Sequence, residues 1–201
     1  MDDPTPDLAE YEEMLARYTI GPLKKLDGPI EIVDHDSAWP LMYEKEATRI
    51  QSALRERVKR IAHVGSTSVP GLPAKPIIDI VLEVADSSDE AAYVPALERA
   101  GYTLRGREAD WFEHRRFKGP DIDINLHTFS AGCAEVDRML RFRDWLRTNA
   151  ADRERYVRTK RELAAKRWTY MQQYADAKTE IVKEIMARAE AGLAREKAPE
   201  P

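Results

Sequence analysis

His63-Val64-Gly65-Ser66-Thr67-Ser68-Val69-Pro70-Gly71-Leu72-Pro73-Ala74-Lys75-Pro76-Ile77-Ile78-Asp79-Ile80-Val81 reads as a strand, a Gly/Ser turn and a second strand that carries one carboxylate. In the turn Gly65-Ser66-Thr67-Ser68, backbone N–H groups and three hydroxyls sit together without bulky side chains, so several donors can meet one anion. Lys75 adds a point charge at the far end of the loop. Pro76 follows that lysine, so the Gly-x-x-x-x-Gly-Lys-Ser/Thr phosphate loop is absent. The same residues also suit a plain bend, and spacing alone does not separate the two readings. Asp79 stands in an apolar strand, where an unpaired carboxylate costs several kcal/mol and requires a cation or hydrogen-bond donors. A metal ligand is the functional reading, and a carboxylate bonded to the loop's own donors is the structural one.

Working outward, residues 61–64 predict a short strand and residues 76–84 an Ile/Val-rich strand of central type. Upstream, residues 8–18 repeat Leu8, Tyr11, Leu15 and Tyr18 at helical spacing, and residues 29–33 read as a first strand. Asp34-His35-Asp36-Ser37 offers cap oxygens to a helix running from Ala38 to about Arg57, with Tyr43, Ala47, Ile50, Leu54 and Val58 against a sheet. Downstream, Asp86-Ser87-Ser88-Asp89 caps a helix holding Ala92, Leu97 and Ala100, and Gly101 falls where a left-handed C′ residue is expected.

Residues 102–104 form another strand, and residues 111–118 and 122–129 flank Gly119-Pro120-Asp121 as an antiparallel hairpin. Its second strand alternates, placing Asp123, Asn125 and His127 on one face. That face is either an ordinary wet one or lies beside Asp79 to complete a site. On the first strand, Arg115 or Arg116 is within reach of a phosphate. From Cys133 onward every pattern is helical, broken at Asn149-Ala150-Ala151-Asp152. Arg138, Arg141, Arg143 and Arg147 read as a solvated face, and Trp145, Tyr156, Trp168 and Tyr174 as bundle core.

A chain of 201 residues with one cysteine has room for one well-packed α/β domain with an appendage and no internal disulfide. The start lacks the pattern of a signal peptide, and the longest apolar stretch falls far short of the ~20 residues of a membrane helix. A reducing cytoplasm is the expected compartment. The net charge of −4, with 34% charged residues of both signs, gives no basic field of the kind that drives sequence-independent nucleic-acid binding. His63, His114 and His127 match no zinc spacing.

The segments from His63 to Leu72 and from Ala74 to Ile80, with Trp111-Phe112-Glu113-His114 and Asn125-Leu126-His127, together resemble the GrpB family. Asp36-Ser37-Ala38-Trp39-Pro40 and the run through Lys160, Leu163, Tyr174 and Lys178 extend the likeness over residues 29–187. That family is similar to the nucleotidyltransferase superfamily of polymerase-β-like fold, in which a mixed sheet carries a Gly-Ser turn followed by acidic residues that bind magnesium and nucleotide. The resemblance implies an α/β (α+β) fold: a mixed-sheet core over residues 29–130, an N-terminal extension over 1–28, C-terminal helices over 131–194 and a frayed tail over 195–201.

It further implies transfer of a nucleotidyl group from a nucleoside triphosphate to a small acceptor of unknown identity. Asp79, Asp123 and His127 would be the catalytic and metal-binding residues around one magnesium ion. Gly65, Ser66, Thr67, Ser68, Lys75 and Arg115 would hold the nucleotide. Val81 stands where the superfamily has its second carboxylate, and Glu83 is ~13 Å along the strand from Asp79, too far for metals paired at ~3.5–4 Å. Asn125 also replaces a histidine common among relatives. The rival reading is a non-catalytic module that binds a nucleotide or coenzyme; RNA binding by the helical appendage is disfavoured by the acidic charge.

Overall fold

The computed structural model describes residues 7–196. The loose start and frayed tail expected of the sequence fall largely outside that range. In chain order the elements are α1 (Leu8–Tyr18), α2 (Trp39–Leu54), β1 (Arg60–Val64), β2 (Ile78–Val84), α3 (Val94–Arg99), β3 (Thr103–Glu108), β4 (His114–Lys118), β5 (Ile124–Ser130), α4 (Ala134–Thr148), α5 (Ala150–Ala164), α6 (Met171–Asp176) and α7 (Thr179–Glu196). The strands form one mixed sheet in the order β1-β2-β5-β4-β3. β2 pairs antiparallel with β1 and parallel with β5, so the Ile/Val-rich strand is an interior one.

Period-2 alternation divides the sheet between two cores. On one face Ile78, Ile80, Leu82, Leu126 and Phe117 pack with Trp39, Ile50 and Leu54 of α2 and Leu97 of α3. On the other, Val64, Val81 and Phe129 meet Val136 and Leu140 of α4. The expected strand at residues 29–33 does not form. Val33 and Ala74 make one isolated antiparallel bridge, while Ile30 packs with Leu163, Ala164 and Tyr174 instead of joining a ladder. Its β propensity is spent on a strap across the helices.

One helix start also differs from expectation. Asp86 closes a local turn, accepting from the Ser88 N–H at 2.8 Å, and Tyr93 occupies the cap position of α3. Asn149, by contrast, caps α5 by accepting from Asp152 N–H at 2.9 Å, as the break there requires. Gly101 is left-handed at φ +95° behind α3. The arginines of α4 are not simply solvated. Arg143 donates to the His63 carbonyl at 3.0 Å, and Arg147 donates to the Ser68 carbonyl at 2.8 and 3.1 Å, fixing α4 to the ends of the Gly/Ser turn. Among the described residues no helix is long and apolar enough to cross a membrane.

Candidate functional site

Asp79 lies in the second residue of β2, next to Gly65, where β1 ends and the turn begins. Gly65 adopts φ +69°, and a Cβ there would sit 3.0 Å from the Asp79 Cβ and closer still to its carboxylate. Only glycine lets the turn lie against that acid. Because Asp79 is in register with Asn125 across the parallel pair, the two side chains share a face, and Asn125 Nδ2 donates to Asp79 Oδ1 at 2.8 Å. His127, two residues on, brings Nε2 to 3.8 Å from the same oxygen. Burial pushes the Asp79 carboxyl upward, but His127, Asn125 and Lys75 outweigh it and hold the acid below its ordinary value.

The turn's hydroxyls are divided. Thr67 Oγ1 donates to the Ile77 carbonyl and meets His63 Nε2, each at 3.0 Å, and Ser68 Oγ donates to the Gly65 carbonyl at 2.6 Å. Both hydroxyls are consumed in holding the loop, so the expectation that three converge on an anion is corrected to one. Ser66 alone faces outward, where Lys160 Nζ donates to its Oγ at 3.1 Å.

Near Ser66 and Asp79 the C-terminal helices and the loop bring lysines together. Lys160, on α5, is only 2% exposed and also donates to the Pro73 carbonyl. Lys178 lies 4.7 Å from the ring centroid of Tyr174, and Lys75 lies 5.2 Å from the same ring. Tyr174 is buried, and its hydroxyl has no hydrogen-bond partner among the described residues. Burial, reinforced by the neighbouring lysines, pulls Lys75 down to about 8 and Lys160 down to about 7. Lys178 is lowered by burial and partly restored by Asp79. Three ammonium groups with one carboxylate near them leave this region short of negative charge.

Of the other expected site residues, Asp123 is engaged by a surface lysine although its charge still reaches Lys75. It pairs with Lys118 at 2.6 Å near the sheet's exposed end. Arg115 is a misassignment: Arg116, not Arg115, is opposite His127 on β5, so Arg115 points to the far face. There it is bound by Glu90 at 2.6 Å and Glu113 at 3.1 Å. The residues therefore do not fit a magnesium centre built by the protein. The pocket offers one carboxylate, an amide turned nitrogen-first toward it and one imidazole, ringed by ammonium groups. Among the described residues no three His, Cys, Asp or Glu side chains gather to hold a metal.

Beyond His127 the polar row continues across the sheet. His114 Nε2 is 3.0 Å from His127 Nδ1, and His114 Nδ1 is 3.5 Å from Glu108 Oε1. Phe129 stacks on His114 at 4.7 Å and Trp111 meets it edge-on at 5.1 Å. Lys160, Lys178, Tyr174, His114 and Glu108 were not picked out from the residues as site members. A signal existed for the first: Tyr156, Lys160, Leu163 and Ala164 share the buried stripe of α5, and a lysine inside an apolar stripe needs a reason.

Comparison with known proteins places the chain among relatives over almost its whole length. The family model described as GrpB protein matches residues 29–188. A UPF0157 protein of Halalkalibacterium halodurans is 56% identical over 95% of this chain and 98% of its own. The crystal structure of conserved protein GrpB from Enterococcus faecalis superposes with a TM-score of 0.68 at 29% identity, covering 79% of this chain and 96% of that one. A dephospho-CoA kinase of Mycolicibacterium paratuberculosis is 30% identical over 66% of this chain, a match confined to 39% of that protein.

Proposed function

The chain belongs to the GrpB family, and from that premise we propose that its lysine-lined pocket takes the polyphosphate of a nucleoside triphosphate and transfers the nucleotidyl group to a small acceptor. One observation carries the reading. Lys75 and Lys178, from two segments, lie over the Tyr174 ring, and Lys160, from a third, donates to Ser66 of the turn beside Asp79. Nothing in the fold alone calls for three ammonium groups in one half-buried place, since each is costly to bury unpaired. A polyphosphate supplies the missing charge, and the lysines would hold pyrophosphate as it departs. Asp79 and His127 stand where an acceptor's proton would be drawn off. Magnesium belongs to this reading only as the ion that a nucleoside triphosphate brings with it, and no step depends on it.

Isothermal titration of the full chain with ATP and CTP, with and without magnesium, tests the reading when paired with a pyrophosphate-release assay. Binding together with release over a panel of small acceptors is expected. No binding of either nucleotide in any condition overturns it. A second reading, a non-catalytic module for a nucleotide or coenzyme phosphate, is favoured by Val81 at the position of the absent second carboxylate. The likeness to part of a dephospho-CoA kinase supports a coenzyme-type ligand for that reading. Binding without turnover would select it.

A further inference from the structure

We propose that the exposed turn carrying Trp111 and Phe112 is the nucleobase platform of this site: a base stacks there, and its phosphates run back along β5 past Arg116 to the lysines. The proposal rests on the polyphosphate reading and extends it to the other end of the ligand.

The turn between β3 and β4 leaves Trp111 37% and Phe112 50% exposed, side by side. The other large apolar side chains left open among the described residues, Leu8, Met14 and Leu41, stand apart on α1 and α2. Phe112 and Glu113 both take left-handed backbone, at φ +55° and +50°. Glycine would hold such a turn without strain, and a bulky residue at positive φ is a true outlier. The one aromatic ring that Phe112 meets is Trp111, at 5.8 Å. Neither core packing nor backbone geometry therefore calls for a phenylalanine here, and strain that persists at such a position points to ligand contact.

The surroundings hold the strained shape. Trp111 N–H donates to the Glu108 carbonyl at 3.2 Å, and His114 N–H donates to the Trp111 carbonyl at 3.1 Å. Glu113 is bound at 3.1 Å by the buried Arg115, which Glu90 also fixes. Trp111 rests edge-on against His114 and Phe129, at 5.1 and 5.7 Å. The rings are kept from folding inward, so a ligand meets them already ordered.

Placement selects a nucleobase over other flat or apolar occupants. On the Asp79 face, β5 leads from Phe129, against Trp111, back through His127 to Asn125 beside Asp79. Four residues of strand span ~13 Å, about the reach from base to terminal phosphate in an extended nucleoside triphosphate. Between the two ends Arg116 lies opposite His127, and its guanidinium enters no hydrogen bond or ion pair among the described residues. The order along the face is aromatic pair, guanidinium, carboxylate and lysines, which matches base, α-phosphate, reacting centre and departing pyrophosphate. A lipid tail or an apolar peptide would use the aromatic pair and leave Arg116 and the lysines idle.

Calorimetry of the full chain with tripolyphosphate, ATP and CTP, repeated in Phe112→Gly and Phe112→Tyr, tests the assignment. Quenching of Trp111 emission by adenosine, identified with Trp111→Phe, adds a readout free of phosphate. The wild type should bind ATP and CTP roughly 10-fold tighter than tripolyphosphate, the gain from stacking one base. Phe112→Gly should erase that gap while tripolyphosphate affinity stays within about twofold and the melting temperature holds or rises as the strain is relieved. Phe112→Tyr should keep the gap. Equal affinities for ATP and tripolyphosphate in the wild type, or an ATP affinity unchanged in Phe112→Gly, overturn the platform and leave the polyphosphate reading standing. Self-association that Phe112→Gly abolishes in sedimentation, with ATP binding unchanged, gives the turn to a second copy of the chain and overturns the platform too. Should neither ATP nor tripolyphosphate bind, the polyphosphate reading falls and adenosine decides alone: quenching lost in Phe112→Gly upholds the platform, and no quenching overturns it.

Discussion

Asn125 stands directly across from Asp79 on the adjoining parallel strand and donates its amide hydrogen to Oδ1 at 2.8 Å. The bond fixes the carboxylate's rotamer, so one acid is held in place among three lysines rather than swinging to pair with any of them. Negative charge at that point opposes an incoming anion, so under the proposed transfer its part is in the chemistry and not in binding.

Asp79→Asn separates these two roles. The substitution is isosteric, retains an oxygen for Asn125 and removes the opposing charge, so tripolyphosphate should bind at least as tightly as to the wild type. Pyrophosphate release should drop by roughly 100-fold or more, since the carboxylate standing where the acceptor's proton is drawn off is gone. Calorimetry and a release assay on one preparation measure both; weakened binding would contradict the anion-site reading.

Gly65 and Gly71 are both left-handed, at φ +69° and +73°, but a Cβ on Gly71 meets nothing within 4 Å whereas one on Gly65 runs into Asp79. Gly71→Ala should cost about 1 kcal/mol, the backbone term alone. Gly65→Ala should cost about 2–3 kcal/mol, because the side-chain overlap is added. Urea denaturation of the pair isolates the overlap as the difference.

Lys160→Met trades function for stability. A buried ammonium without a counter-ion is replaced by an apolar chain of similar length, so the melting temperature should hold or rise. Tripolyphosphate affinity should fall roughly 10- to 100-fold, the range for a lost charge-assisted hydrogen bond. Thermal melts with and without tripolyphosphate check both signs.

Anion binding should be accompanied by proton uptake. Burial draws Lys75 to about 8 and Lys160 to about 7, and a bound polyphosphate favours their charged forms. Near pH 8 protons enter with the ligand, and affinity rises as pH is lowered from 10 toward 7. Titration heats in buffers of different ionisation enthalpy give the proton count directly.

Fold stability should show the opposite pH dependence. Burial depresses both His63 and His114 from 6.5 to about 4, so the unfolded chain binds more protons between those values. Their contribution is complete above pH 6.5 and is lost as pH falls toward 4, by at most about 3 kcal/mol for each ring. Denaturation curves across that interval measure it; a flat profile would mean the rings are not sealed from water.

The parts legible in the sequence were those governed by local period. Alternation in β2 and β5 placed Asp79, Asn125 and His127 on readable faces, and Gly65 marked the turn that meets the acid. The face of Arg115 is not legible because the β3–β4 turn, where Phe112 and Glu113 both take positive φ, interrupts the alternation just before β4, and Arg116 rather than Arg115 comes to lie opposite His127. The strap at residues 29–33 has strand-like residues, yet its apolar side chains found helices rather than a sheet edge. Lys160 betrays itself only as a lysine in the apolar stripe of α5, and the place of Lys178 depends on how the α6–α7 junction docks, which no local pattern encodes.

That docking has a consequence for the order in which the protein becomes competent. Lys75 emerges early in synthesis, while the other two cations follow it by 85 and 103 positions (160 − 75; 178 − 75). A ribosome-bound intermediate can finish the sheet yet hold only one of the three lysines in place. If the proposed polyphosphate site is right, affinity for tripolyphosphate reports that the last helices have arrived and seated.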